Sequence, residues 1–208
     1  MTWTFIRGAL TLVKISSRCF EIPVTGSKER KNQGRDLSVQ TEVHANMADA
    51  VALSEGQQIY IAESALINEP KLDKEPRDKF KLVRCLRDSW NCQIREISRE
   101  FTPPSELTVF GSTSYKDETK FLALDFMGTY RLRQLGRMLV PLRISHFAKR
   151  MEACVLMSLK FSLNIREETI RRSHLSAADD SLSGLCDAIP GSKPTPTKEK
   201  KRRASQLF

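Results

Sequence analysis

The chain has 208 residues, 40% of them hydrophobic and 28% charged, a composition suited to one globular domain with tails. Its net charge of +9 is unusual and favours phosphate-rich partners, either nucleic acid or an anionic membrane surface, without specifying a fold. No apolar run reaches the length of a membrane span, and five scattered cysteines with no CxxC pair argue for reduced thiols rather than a disulfide framework or zinc site.

The first twenty residues, MTWTFIRGALTLVKISSRCF, carry Arg7, Lys14 and Arg18 and no acid. Wound as a helix, they place the cations along one edge and Phe5, Ile6, Ala9, Leu12 and Val13 away from it. That pattern suits a mitochondrial targeting segment, and equally an amphipathic edge of the fold. Residues 25–46 are polar without an apolar period and read as a linker, so residues 1–47 form an N-terminal arm. Met47 could also start a shorter product.

A short apolar element over 57–67 is followed by a helical pattern from Pro76 to Phe101. There Phe80, Val83, Trp90, Ile94, Ile97 and Phe101 fall on one stripe, and Pro103–Pro104 stop the helix. The period then changes to two. Leu107, Val109, Thr113 and Tyr115, the turn at 116–118, and Leu122, Leu124 and Phe126 predict a β-hairpin. Met138, Val140, Leu142 and Ile144 predict another strand, with Pro141 marking a sheet edge. A helix is expected over 145–157. Leu159, Phe161, Leu163 and Ile165 alternate with Lys160, Ser162, Asn164 and Arg166 and give the cleanest predicted strand; a short helix follows over 167–176. The expected fold class is α+β: one compact domain over 48–175, with a long amphipathic helix followed by an antiparallel sheet. Basic, disordered tails flank it, the C-terminal one running from 176 to 208.

The charge surplus is local. Residues 128–175 hold ten Lys and Arg against three acids, and residues 191–208 hold six against one. The folded part of this surplus supplies the candidate anion-binding residues: Arg131, Arg133, Arg137, Arg143, Lys149, Arg150, Lys160, Arg166, Arg171 and Arg172. Arginine predominates, and guanidinium groups suit bidentate phosphate contacts and base stacking. If the two predicted strands pair, Arg137 and Arg143 share a solvent face with Lys160 and Arg166, opposite the core. Phe147, Phe161 and Tyr130 could stack bases but fit core positions better. In the tail, Lys198, Lys200, Lys201, Arg202 and Arg203 form a nuclear-localisation type of cluster, and Ser205 follows two arginines as a basophilic phosphorylation site.

Catalytic chemistry has little support. HExxH, GxxxxGK[ST], GxSxG and GxGxxG do not occur, and His44, His146 and His174 are far apart. His146 with Cys154 lacks a third ligand, and Asp125 beside Gly128 fits a turn better than a catalytic carboxylate. No catalytic residue, metal or cofactor is therefore expected. RNA-recognition, KH, zinc-finger and leucine-zipper signatures do not occur either. The expected function is a non-enzymatic structural protein that engages nucleic acid or ribonucleoprotein through backbone-phosphate contacts. The alternative is a matrix-type protein, as in enveloped RNA viruses, acting at an anionic membrane surface and on nucleocapsid, with self-association as a further partner mode. A small enzyme with an unrecognised site is the third reading. The matching compartments are nucleus and cytoplasm, the virion for a matrix protein, and the mitochondrion if the N-terminus is a targeting segment.

Overall fold

A computed structural model describes residues 2–64, 74–97 and 107–176. The elements in chain order are α1 (Thr2–Leu12), β1 (Ser16–Pro23), α2 (Thr25–Asn32), β2 (Met47–Ser54), β3 (Gln57–Ser64), α3 (Lys74–Ile97), β4 (Val109–Tyr115), β5 (Glu118–Phe126), β6 (Tyr130–Leu139) and α4 (Ile144–Ser176). The six strands form one sheet in the order β1-β2-β3-β4-β5-β6. Every neighbouring pair is antiparallel except β3 and β4, which are parallel. A parallel pair needs a crossover, and α3 lies on it.

The expected α+β order is thus overturned. The sheet is mixed rather than antiparallel, and three of its strands precede α3 instead of following it. At 24 residues α3 is shorter than the 33-residue α4. Much of the N-terminal arm is part of the sheet and its packing layers. Residues 25–46, read as a linker, contain α2, and β1 is a strand of the sheet. The C-terminal tail from 177 onward lies outside the described residues.

Helices cover both sheet faces. On one face α1 contributes Ile6 and Leu10, and α4 contributes Cys154, Phe161 and Ile165, packed with Tyr60, Phe110, Phe121 and Met138. Phe161 is the hub, its ring centroid 4.5 Å from Phe121, 5.6 Å from Tyr60 and 5.8 Å from Phe110. On the other face α3 lays Leu82, Leu86, Trp90 and Ile94 on Val51, Ile61, Val109, Leu122 and Leu124. Those helical positions recur at four-residue intervals, as a core-facing stripe must. The stripe is rotated from the expected one: Phe80 is exposed, with the Arg84 guanidinium 5.4 Å from its ring centroid. Trp90 donates its indole N–H to the Leu107 carbonyl at 3.1 Å, so burying it leaves no orphaned donor.

The β4–β5 hairpin is as expected, paired from Val109↔Leu124 to Tyr115↔Glu118. Between β2 and β3, Glu55 and Gly56 both have positive φ (49° and 83°), the two-residue turn whose twist matches paired strands. The strand expected over 138–144 is displaced: β6 ends at Leu139 and α4 begins at Ile144. The strand expected over 159–166 is the middle of α4. A helix explains its alternation, because Phe161 and Ile165 face the sheet while Leu163 lies on the outer side.

α2 is joined to α3 by close backbone approach. A Cβ at Gly26 would lie 2.3 Å from the Asp88 carbonyl oxygen and 2.5 Å from its carbon, and backbone cannot swing aside as a side chain can. Gly26→Ala is therefore expected to destabilise by about 1–3 kcal/mol or more, as overpacking does. Gly8→Ala, with nothing within 4 Å of the added methyl, is the control. It should be neutral or stabilising, since alanine is the better helix former. Urea denaturation of the two variants checks the contrast.

Candidate anion-binding face

The ten candidate cations divide by what the fold asks of them. On β6, Arg131 donates to Asp125 Oδ1 at 2.7 Å, and Arg133 lies 2.8 Å from Asp125 Oδ2. Asp125 is buried at the end of β5, directly across from Arg131, so this carboxylate is committed to two guanidinium groups. That accounts for it better than either the turn or the catalytic reading. Arg137 is largely exposed, with Glu118 4.0 Å away.

Arg150 on α4 donates to Asp117 Oδ2 at 3.0 Å, pinning the first turns of the helix to the β4–β5 turn. Further along, Glu168 accepts from both Arg171 and Arg172. Arg172 is buried and also donates to Gln93 Oε1 and to the Thr108 carbonyl. Burial lowers the Arg172 pKa, with the Glu168 carboxylate working against that shift. Arg172 is a structural clasp between α4, α3 and the start of β4, not a surface cation.

Four candidates remain. Arg143, Lys149, Lys160 and Arg166 are exposed and make no ion pair among the described residues. Arg143 immediately precedes α4, and the other three stand on its outer side. The coplanar strand arrangement expected for Arg137, Arg143, Lys160 and Arg166 does not occur, because Lys160 and Arg166 are helical and Arg143 lies beyond β6.

Hydrophobic side chains share that outer side. Leu156, Leu163 and Ile170 are 58%, 40% and 45% exposed and recur every seven residues, so they form one stripe. Val155, beside Leu156, is 50% exposed as well. At 100° per residue, Lys149 and Lys160 fall to one side of the stripe and Arg166 to the other. This mixed face was missed because 159–166 was read with a period of two. The recurrence 149, 156, 163, 170 was the signal for it.

The remaining candidates have structural explanations. Phe161 is core, and Tyr130 is half-buried, its hydroxyl donating to Asn91 at 2.6 Å; of the proposed stacking residues only Phe147 is exposed. His146 is exposed and Cys154 buried, eight residues apart on α4 and hence about 12 Å along its axis. Burial raises the Cys154 thiol pKa, and its Sγ lies 3.3 Å from the Leu139 carbonyl. Among the described residues no group of His, Cys, Asp and Glu could hold a metal, and Cys19, Cys85, Cys92 and Cys154 form no disulfide with one another. The cluster from Lys198 to Arg203 and Ser205 lie outside the described residues.

Comparison with protein-family models, with curated proteins and with solved structures finds no match to this chain. No helix among the described residues is long and apolar enough to cross a membrane.

Proposed function

We propose that this chain is a non-enzymatic, matrix-type binding protein that seats the outer side of α4 on an anionic membrane surface. The observation that carries this reading is the combination on that helix: Lys149, Lys160 and Arg166, which make no ion pair among the described residues, flank exposed Leu156, Leu163 and Ile170. An interfacial helix works this way, its apolar residues entering the headgroup boundary while its cations meet lipid phosphates. Each such cation near an anionic leaflet contributes about 1 kcal/mol, so Lys149, Lys160 and Arg166 together supply about 3 kcal/mol of attraction. Glu152 and Glu167 lie on the same side of the helix and reduce that figure.

Flotation with vesicles of phosphatidylcholine, with and without phosphatidylserine, tests the reading. Binding is expected only with the anionic lipid. The triple variant K149E/K160E/R166E removes three cations and adds three anions, and should weaken binding at least about a hundredfold. Leu156→Ser with Leu163→Ser should weaken it with the charge unchanged. Flotation indifferent to phosphatidylserine would sink the proposal.

Nucleic acid or ribonucleoprotein is the second reading, favoured by Arg131, Arg133 and Arg137 along β6, which stay 46%, 53% and 69% exposed although they pair with Asp125 and Glu118. Three phosphate contacts to a single strand predict a salt slope of about −2. RNA retention that is flat in salt, or unchanged by Arg→Ala at all three positions, would remove it.

A further inference from the structure

The function proposed above leaves unused the cations of α1 and of the turn that follows it. Arg7, Lys14 and Arg18 are exposed and make no ion pair among the described residues. An open cleft of about 370 Å³ is lined by Arg7, Thr11, Lys14, Ile15, Ser16 and Ser17, with no acid among them. Arg7 and Thr11 stand about one helical turn apart, and Lys14 follows just past the end of α1 at Leu12. Thr11 spends its hydroxyl proton on the Arg7 carbonyl at 2.9 Å. Ser16 and Ser17 open the edge strand β1, and neither hydroxyl has a hydrogen-bond partner among the described residues. Ser16 pairs with Leu53 on β2, and Glu55, two residues on, lines a different cavity with residues of α2 and α3.

The way α1 stops builds one wall of this cleft. Lys14 donates its N–H to the Thr11 carbonyl at 3.0 Å, and Ile15 donates to the Leu10 carbonyl at 2.9 Å. This is a Schellman turn, completed by Leu10 and Ile15, which are buried in one core. Its left-handed position, φ 61°, is one that glycine takes without strain, yet a lysine holds it. The carbonyl end of a helix is one reason for a cation there. It accounts neither for the left-handed lysine nor for Arg7, five residues before the helix end. Backbone strain kept where a simpler residue would relieve it marks a side chain that is needed. The turn also spends two of the carbonyls that would otherwise repel an anion.

We propose that this cleft binds a phosphomonoester, carried either by a small molecule or by a lipid headgroup. The dianion accepts from the Arg7 guanidinium and the Lys14 ammonium, and the serines offer donors to its remaining oxygen. A phosphodiester carries one charge and two free oxygens, and so fits less well. The binding does not depend on the α4 reading, although α1 and α4 cover the same sheet face.

The test follows the backbone amide resonances of the full chain during titration with glycerol 3-phosphate, and separately with the diester glycerophosphocholine, in about 0.1 M salt so that distant charges are screened. The monoester is expected to bind at least about tenfold more tightly and to shift the amides of residues 7–17 most. Arg7→Ala and Lys14→Gly should each weaken it at least about tenfold, the loss of one charge-assisted contact. Lys14→Gly should at the same time raise the urea midpoint, because it relieves the left-handed residue. A merely structural Lys14 would give the second effect without the first. K149E/K160E/R166E should retain monoester affinity within about threefold. Equal affinity for the two probes, shifts spread evenly over all the cations, or full affinity in Lys14→Gly would each overturn the proposal. Loss of affinity in the α4 variant alone would also overturn it, while leaving the α4 reading intact. Flotation with phosphatidylcholine vesicles containing phosphatidic acid separates the two sources. Weaker flotation of Arg7→Ala assigns the headgroup, and unchanged flotation with glycerol 3-phosphate binding in place assigns a soluble ligand.

Discussion

Arg172→Ala is expected to lower the free energy of unfolding by about 3–5 kcal/mol, the largest effect of any change within the basic stretch. The guanidinium is 6% exposed and the Glu168 carboxylate 5%, and they meet at 2.9 Å. Truncating Arg172 strands that carboxylate, leaving it only the more exposed Arg171 and the Thr108 N–H, which donates to Oε1 at 3.0 Å. It also deprives Gln93 Oε1 and the Thr108 carbonyl of a donor. A buried pair replaced on both sides behaves differently, because no uncompensated charge remains. R172M/E168L should therefore recover the part of the loss due to the stranded charge, but not the part due to the hydrogen bonds of Gln93 and Thr108, and urea denaturation of the single and double variants measures it. A surface cation would show neither effect: Lys160→Ala should change stability by less than about 0.5 kcal/mol. The contrast separates charge that holds the fold from charge that is available to a partner.

That division could not be read from composition. Ten cations against three acids in 128–175 suggested a single patch, yet Asp117, Asp125, Glu118 and Glu168 engage six of the ten. Only Glu168 lies within the stretch; the other three acids, at 117, 118 and 125, precede it and so fell outside the count. Pairing across the β5–β6 register brings Asp125 to Arg131, and linear counting cannot see a register. The β4–β5 hairpin was legible because both strands alternate around a short turn. α3 was legible as a helix, but its inner stripe was not, because Phe80 and Val83 competed with Leu82 and Leu86 as apolar candidates. α4 failed for a related reason: it carries apolar residues on its inner and outer sides. Leu159, Phe161, Leu163 and Ile165 then mimic a strand, since two stripes on opposite sides of a helix sample every second residue over short lengths. Such ambiguity is itself informative, for a helix apolar on both sides while covered on only one leaves a face for something else.

The N-terminal arm was misread for a different reason, and Asp88→Ala tests the account. α2, TGSKERKN, has no apolar stripe, so hydrophobic periodicity is silent about it. Its attachment is polar and steric instead. Arg30 is 2% exposed and donates from Nε to Asp88 Oδ2 at 2.7 Å, and Gly26 lets the α2 backbone approach the Asp88 carbonyl. Around this centre, Ser27 Oγ accepts from the Asn46 N–H at 2.9 Å and Lys31 donates to Asn46 Oδ1 at 2.8 Å, folding the following loop back on the helix. Asp88→Ala removes the carboxylate facing a buried guanidinium and should cost about 3–5 kcal/mol, whereas D88L combined with R30M should cost far less. Because the strain falls on α2, residues 25–46 should become the first site of limited proteolysis in Asp88→Ala while the β4–β5 hairpin stays protected. Cleavage there at the same rate in the unmodified chain would return this segment to the linker that its composition suggests.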